Sequence, residues 1–285
     1  MPTAKVNGVE LFYKESGHGP QTIIFSHGLL MDHSMFEAQR AAFEGRYRVI
    51  AYDHRGQGQS QDLGHGQDMD TLTADAAALI QALNAAPCHF VGLSMGGFVG
   101  MRLAARRPAL LRTLTLMNTG PDREPWSNRM RYGLLAQLVR MVGTAPFTGT
   151  AVKALFGETT RRNPQRKAML AEWTVKLRRR PRNVAHALMG VLTRREVGPD
   201  DLRSITCPTL VIAGEDDTSR PPRDSERLAA FIPKARLVRI PGSGHSSSLE
   251  APEAVTAAIL DLLTTSAGGQ SLTAGELKSR SGDRA

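Results

Sequence analysis

One stretch limits what this chain can fold into more than any other. His89-Phe90-Val91-Gly92-Leu93 is a short apolar run, Ser94-Met95-Gly96-Gly97 follows it, and an Ala-rich helical pattern begins at once. Gly-x-Ser-x-Gly between a strand and a helix drives the backbone through a very sharp turn with the serine at its apex. Gly92 and Gly96 leave room for backbones that must pass closely, and glycine tolerates the dihedrals such a turn imposes. A Gly-rich turn with an incidental serine reads the same in isolation. The strand before and the helix after are what point to an exposed nucleophile.

The rest of the chain fits around that turn. Asn7-Gly8 inside the stretch 5–13 predicts a hairpin. Short apolar runs at 21–26, 47–52, 88–93 and 111–117 read as buried strands, and 35–43, 72–83 and 97–106 have helical spacing. From 122 to 197 the strand signal stops, and helical stretches occur at 130–142, 151–156, 165–178 and 183–193. Strands return at 209–213 and 236–240, with helices near 225–231 and 252–263. This alternation predicts an α/β fold: a mostly parallel sheet covered by helices on both faces, with a helical lid inserted after the sixth strand. The expected division is a core of residues 1–121 and 198–265, a lid (cap) of 122–197, and a disordered tail of 266–285, where apolar residues nearly vanish.

Charge is informative once it is located. The formal net charge is +9, yet residues 121–200 hold 16 Lys/Arg against 6 Asp/Glu while the remainder holds 20 against 21. The excess belongs to the insert. Its densest cluster, Arg178-Arg179-Arg180, alternates with apolar residues in helical fashion and reads as a solvated helix face, with an acidic substrate or partner as the alternative. No stacking aromatics interleave it, so nucleic acid is not an expected partner. No apolar run is long enough to span a bilayer, and no membrane partner is expected. Met1 to Lys5 shows no apolar signal core, and Cys88 and Cys207 form no disulfide framework. Both features point to a reducing cytoplasm.

Ser94 needs a base and an acid that orients it. Of eight histidines, His245 stands in a Gly-rich loop between the last strand and the last helix, at the sheet edge where the Ser94 turn also lies. His18, His33 and His65 lie in polar loops and read as surface residues, His89 as packing and His186 as a surface residue of the insert. Gly214-Glu215-Asp216-Asp217 places three carboxylates just past a buried strand, giving the chain order serine, acid, histidine.

With these residues in place, the chain resembles the α/β-hydrolase superfamily, in particular its small esterases, 3-oxoadipate enol-lactonases and carbon–carbon-bond hydrolases. The resemblance spans residues 5–263 and is weakest in the insert. It implies that Asp217 is the triad acid, in a Gly-x-x-Asp pattern trailed by Arg220-Pro221-Pro222, with Asp216 as the fallback. Asp122 matches the other position that some relatives use. His27-Gly28-Leu29 resembles the family's oxyanion segment, which implies a structural His27 and an oxyanion hole built from the Leu29 and Met95 N–H groups. Asp53-His54-Arg55-Gly56 resembles a buttressing loop. A serine nucleophile sets the chain apart from relatives that attack with aspartate.

The expected activity is therefore that of a cofactor-free serine hydrolase, without a metal, cleaving a small carboxylic ester or lactone through an acyl-enzyme on Ser94. Carbon–carbon-bond hydrolysis of ring-cleavage products, or a slow-turnover ligand receptor that retains the triad, are the alternatives. Expected partners are a small-molecule substrate, with an anionic one as the variant suggested by the insert, and at most further copies of the chain as a homo-oligomer.

Overall fold

The computed structural model describes residues 2–268. Eight strands form one sheet: β1 (Thr3–Val6), β2 (Val9–Ser16), β3 (Thr22–Ser26), β4 (Arg48–Tyr52), β5 (Cys88–Leu93), β6 (Leu111–Met117), β7 (Thr209–Gly214) and β8 (Arg236–Ile240). Their spatial order is β1-β2-β4-β3-β5-β6-β7-β8. β1 and β2 are an antiparallel hairpin, and Asn7 and Gly8 both take the positive φ that its two-residue turn requires. β2 is antiparallel to β4, and the strands from β4 to β8 are parallel to their neighbours.

This order positions the site. The chain leaves β3 for β4 on one side, then crosses back to place β5 on the other. β3 and β5 therefore flank the point where the winding reverses, and the loops at their C-terminal ends diverge around a crevice. Leu29 follows β3 and Ser94 follows β5.

Period-2 alternation in the parallel strands feeds two cores. Ile24, Ile50, Tyr52, Phe90 and Val211 pack on one face with Leu72, Leu79, Phe98 and Leu103 of the helices Met69–Ala82 and Met95–Arg106. Ile23, Phe25, Val49, Val91 and Ile212 pack on the other with Phe36, Phe43, Val255 and Ile259. Strands buried on both faces must be apolar throughout, which is why these runs show no polar alternation. A side chain such as Phe25, with no exposed surface, contributes about 1.5–3 kcal/mol by its burial.

Between β6 and β7 the described residues are helical, with no strand: Trp126–Val142, Thr148–Leu155, Glu158–Arg162, Lys167–Arg178, Val184–Thr193 and Pro199–Arg203. Two of these, Glu158–Arg162 and Pro199–Arg203, are too short to show a helical period in sequence. The segment has a small core of its own, Ala136, Val139, Val184 and Ala185, and also feeds Leu155, Phe156, Trp173 and Leu177 into the second sheet core. The final helix, Pro252–Gly268, runs past residue 265. The remainder of the stretch expected to be a tail, 269–285, lies outside the described residues.

Candidate active site

Ser94 sits between β5 and the helix Met95–Arg106 with φ 51° and ψ −107°, a conformation that L-residues rarely hold and that the surroundings must enforce. They do so through backbone bonds. The Ser94 N–H donates to the Met117 carbonyl at 2.8 Å, and the Ser94 carbonyl accepts from Phe98 N–H and Thr119 Oγ1, each at 3.0 Å. A Cβ at Gly92 would overlap the Gly96 carbonyl, and a Cβ at Gly96 would overlap the Ser26 carbonyl on β3. Both glycines are thus required by close approach.

His245, in the loop after β8, is 94% buried and its Nδ1 lies 2.8 Å from Asp217 Oδ2. The Asp217 carboxylate accepts three further bonds: Asn118 Nδ2 to Oδ2 at 3.0 Å, and the Ser219 and Arg220 N–H groups to Oδ1 at 2.8 Å each. Held by these donors, the carboxylate accepts the Nδ1–H hydrogen bond of the imidazole, which leaves Nε2 with its lone pair. Asp216 faces elsewhere. Its Oδ2 accepts the Thr159 N–H at 3.0 Å, and the Thr159 hydrogen bonds hold its carboxyl below the usual range. Asp122 is partly exposed and pairs with Arg227 at 3.2 Å. Of the three candidate acids, only Asp217 meets His245.

The turn after β3 is built to keep one amide free. His27 is fully buried. Its Nδ1 donates to the Gly28 carbonyl at 2.7 Å and its Nε2 accepts the His54 N–H at 3.0 Å, so both ring nitrogens are committed and the ring is neutral. Burial lowers its pKa, against the pull of Asp53. The Leu30 N–H donates to Gln57 Oε1 at 3.1 Å, and Met31 N–H to the Gly28 carbonyl at 3.1 Å. Among the described residues, the Leu29 and Met95 N–H groups donate to nothing. Gln57 also brings its Nε2 to 3.6 Å from Met95 Sδ, bridging the two segments. Beneath them, Asp53 is fully buried and accepts the N–H groups of His33 and Gln59 and the His33 ring. His33, read as a surface residue, is instead mostly buried against this carboxylate because its 3-10 turn folds back over the Asp53 loop.

Arg180 corrects a second expectation. Arg178 and Arg179 are exposed, but the Arg180 side chain is 12% exposed; its Nε donates to the Leu30 carbonyl at 2.9 Å and its guanidinium pairs with Asp32 at 2.7 Å. The segment after β6 is thereby tied to the turn that holds Leu29. Burial pushes the Asp32 carboxyl up, but Arg180 and the Ser34 hydroxyl outweigh it and hold the group well below the usual range. Arg180→Ala should destabilise the protein by about 2–3 kcal/mol at pH 7, since it strands a largely buried carboxylate. Because the folded pKa of Asp32 lies below its unfolded value of about 3.9, the pair stabilises fully above that pH and fades as the pH falls towards the folded value. Urea melts of wild type and variant at pH 7 and pH 3.5 check this: the gap should shrink at the lower pH, and an equal gap would count against the pair.

Ser94, His245 and Leu29 open onto one cavity of about 420 Å³ between the sheet edge and the helices that follow β6. Ser94 and His245 share its wall and no direct hydrogen bond joins them among the described residues; such contacts commonly close only when substrate is bound. Most of the wall is apolar, with Leu30, Phe98, Leu135, Phe147, Leu177 and Leu188 prominent. Two arginines line it. Arg220 pairs with the buried Glu124 and lies 3.7 Å from Asp224, whereas Arg131 pairs with no carboxylate among the described residues; Arg194, behind the wall, also pairs with Glu124. Arg194 stacks over the Phe98 ring, its guanidinium carbon 4.1 Å from the centroid.

Residues 21–252 match the α/β-hydrolase fold family. The chain belongs to that family. It is 32% identical over 271 residues to the "Putative carbamate hydrolase RutD" of Caulobacter sp. (strain K31), covering 93% of this chain and 98% of that protein. Among solved structures, a thermophilic esterase from Thermogutta terrifontis superposes with a TM-score of 0.86 at 29% identity, covering 93% of this chain and 98% of the other. The enol-lactonase from Burkholderia xenovorans LB400 does so with a TM-score of 0.84 at 29% identity, covering 92% and 100%.

Sequence reasoning missed two residues of this α/β hydrolase's site. Asn118, just past β6 with φ 50°, donates to both Asp217 and the Gly244 carbonyl and accepts from Ser247 Oγ at 2.6 Å. An asparagine at the end of a buried strand was the available signal, since Asn tolerates positive φ. Glu250, in the short helix Ser247–Glu250, is buried and accepts the N–H groups of Gly157, Gly244 and Ser246 at 2.8, 3.0 and 2.9 Å. It thus ties both sides of His245 to the segment after β6. Burial pushes its pKa up.

Proposed function

We propose that this α/β hydrolase cleaves small carboxylic esters or lactones through an acyl-enzyme on Ser94. One observation carries the reading: His245, with Asp217 on its Nδ1, shares the wall of a single cavity with Ser94 and Leu29, and the Leu29 and Met95 N–H groups flanking Ser94 donate to nothing among the described residues. In the proposed reaction His245 Nε2 takes the Ser94 hydroxyl proton as Oγ attacks the carbonyl carbon. The Leu29 and Met95 N–H groups hold the oxygen as it becomes an anion. His245 then returns the proton to the departing alkoxide oxygen. Water, deprotonated by the same nitrogen, attacks the acyl carbon; the bond to Ser94 Oγ breaks, His245 returns that proton to Oγ, and the acid is released. Asp217 stabilises the imidazolium at each step.

Substrate polarity follows from the wall. A mostly apolar lining whose Arg220 is engaged by Glu124 favours a neutral, aliphatic acyl group over a carboxylate-bearing one, Arg131 being the lining arginine that no described carboxylate pairs. Residues 122–197 act in this reading as a lid over a core formed by 1–121 and 198–265, held by Arg180 on Leu30 and by Gly157 on Glu250. The same attack could be made on a carbamate carbonyl, for which the 32% identical relative gives a reason to test.

Purified protein should be assayed on p-nitrophenyl esters of graded acyl length, a set of lactones and a phenyl carbamate. Asp217→Asn should lower kcat by about 10³–10⁴-fold by presenting the wrong tautomer, whereas Asp216→Asn should stay within about threefold of wild type. The reverse ranking would reassign the acid, and no turnover across the panel would overturn the reading.

A further inference from the structure

The helix Trp126–Val142 carries apolar side chains on two faces. One face, with Leu135, Ala136 and Val139, packs on the helix Val184–Thr193 and over the cavity. The other is bare: Trp126, Met130, Leu134, Leu138 and Met141 are each between 38% and 73% exposed. At about 100° per residue these five fall within a sector of roughly 120° that runs the length of a helix about 25 Å long. So many large apolar groups in one exposed stripe mark a contact surface.

Charge selects the occupant. The helix contains no acidic residue. Helical geometry sets Arg131 along one border of the stripe and Arg129 and Arg140 along the other; all three are exposed and pair with no carboxylate among the described residues. Just past the helix C-terminus, the Thr144 hydroxyl bonds to the carbonyls of Arg178 and Arg180, which brings the segment with the exposed Arg178, Arg179 and Arg182 to that end of the helix. A second copy would bring the same cations against these, since the whole excess charge lies in this segment. An apolar ridge with Trp, Met and Leu flanked by arginine instead matches a helix that lies in the plane of an anionic lipid surface, its apolar side in the acyl boundary and its arginines on the headgroups.

We propose that the Trp126–Val142 helix docks this protein on anionic lipid surfaces. No helix of the described residues is long and apolar enough to cross a membrane; docking of this kind is peripheral and reversible. It stands apart from the chemistry at Ser94 and does not depend on it. The opposite face of the same helix roofs the cavity, so a docked protein would hold its cavity next to the lipid.

The two tryptophans make the test direct, because Trp126 is 73% exposed and Trp173 is 2% exposed. Full-length protein is titrated with phosphatidylglycerol/phosphatidylcholine vesicles and with pure phosphatidylcholine vesicles. The expected result is a blue shift of Trp emission and co-sedimentation with the anionic vesicles only, weakened at high salt. The shift should vanish in Trp126→Phe, and Met130→Ser/Leu134→Ser should weaken partition by about tenfold or more. Met130 and Leu134 lie off the cavity wall, so that variant should keep its melting temperature and its turnover of a water-soluble ester. Absence of binding to anionic vesicles would overturn the proposal, as would binding that the double variant leaves unchanged. A concentration-dependent dimer that disappears in the double variant would assign the stripe to self-association and overturn it too.

Discussion

Replacing Ser94 with alanine is expected to lower kcat on the best ester of the panel by about 10⁴–10⁶-fold without changing the melting temperature. The first part follows from the loss of the oxygen that attacks the substrate carbonyl in the proposed reaction. The second follows from the bonds that fix the turn. They run through the Ser94 backbone, to Met117, Phe98 and Thr119, and alanine keeps them all while retaining the Cβ that the site already accommodates. A residual rate above that of water should persist, because the Leu29 and Met95 N–H groups and His245 remain. Stopped-flow or long-time assays on the variant, paired with a thermal melt, separate this outcome from misfolding. Near-wild-type turnover in a folded Ser94→Ala variant would remove the acyl-enzyme from the account.

Gly96→Ala should produce the opposite pattern, with stability and activity lost together. Its Cβ would overlap the Ser26 carbonyl and crowd the Ser26 hydroxyl on β3. Backbone cannot yield as a side-chain end can, so the helix Met95–Arg106 must lift from the sheet. About 3–5 kcal/mol of destabilisation is expected from a clash of this kind. Met95, one residue earlier, would carry its N–H out of register with Leu29. A contrasting substitution calibrates the result. Gly133 lies in the helix Trp126–Val142 with nothing within 4 Å of its added Cβ, and Gly133→Ala should stabilise by about 0.5–1 kcal/mol through helix propensity. Urea denaturation of both variants tests the pair, and equal effects would mean that close approach at Gly96 carries no energetic weight.

The legible parts of this molecule were those written locally. Asn7-Gly8 declares its hairpin, the doubly buried strands declare themselves by unbroken apolar runs, and the Ser94 turn carries its glycines beside it. His245 could be placed because its loop follows the last strand. What the chain does not write locally was harder. Three consecutive carboxylates follow Gly214, and nothing within that run tells Asp217 from Asp216. The resemblance named the former, while the distinction in space is made by Asn118, 99 residues earlier in the chain. Arg180 and His33 were misread for one reason. Each lies in a polar stretch that looks solvated, and each is drawn inward by a distant carboxylate, Asp32 or Asp53, that sequence separation conceals. Glu250 reads as an ordinary acidic helix residue until three backbone N–H groups are seen around it. Polar side chains that serve packed backbone leave no periodic trace.

The central claim is that Ser94 is a nucleophile activated by His245 and Asp217. Active-site labelling with a fluorophosphonate, read by peptide mass spectrometry, tests it most directly. Fluoride should leave as a covalent Oγ–phosphorus bond forms, giving one adduct per chain on the peptide that contains Ser94. The adduct should be absent in Ser94→Ala and should form much more slowly in His245→Ala and Asp217→Asn. An adduct on a serine of the 243–248 loop instead, or no adduct on a folded protein that turns over esters, would contradict it.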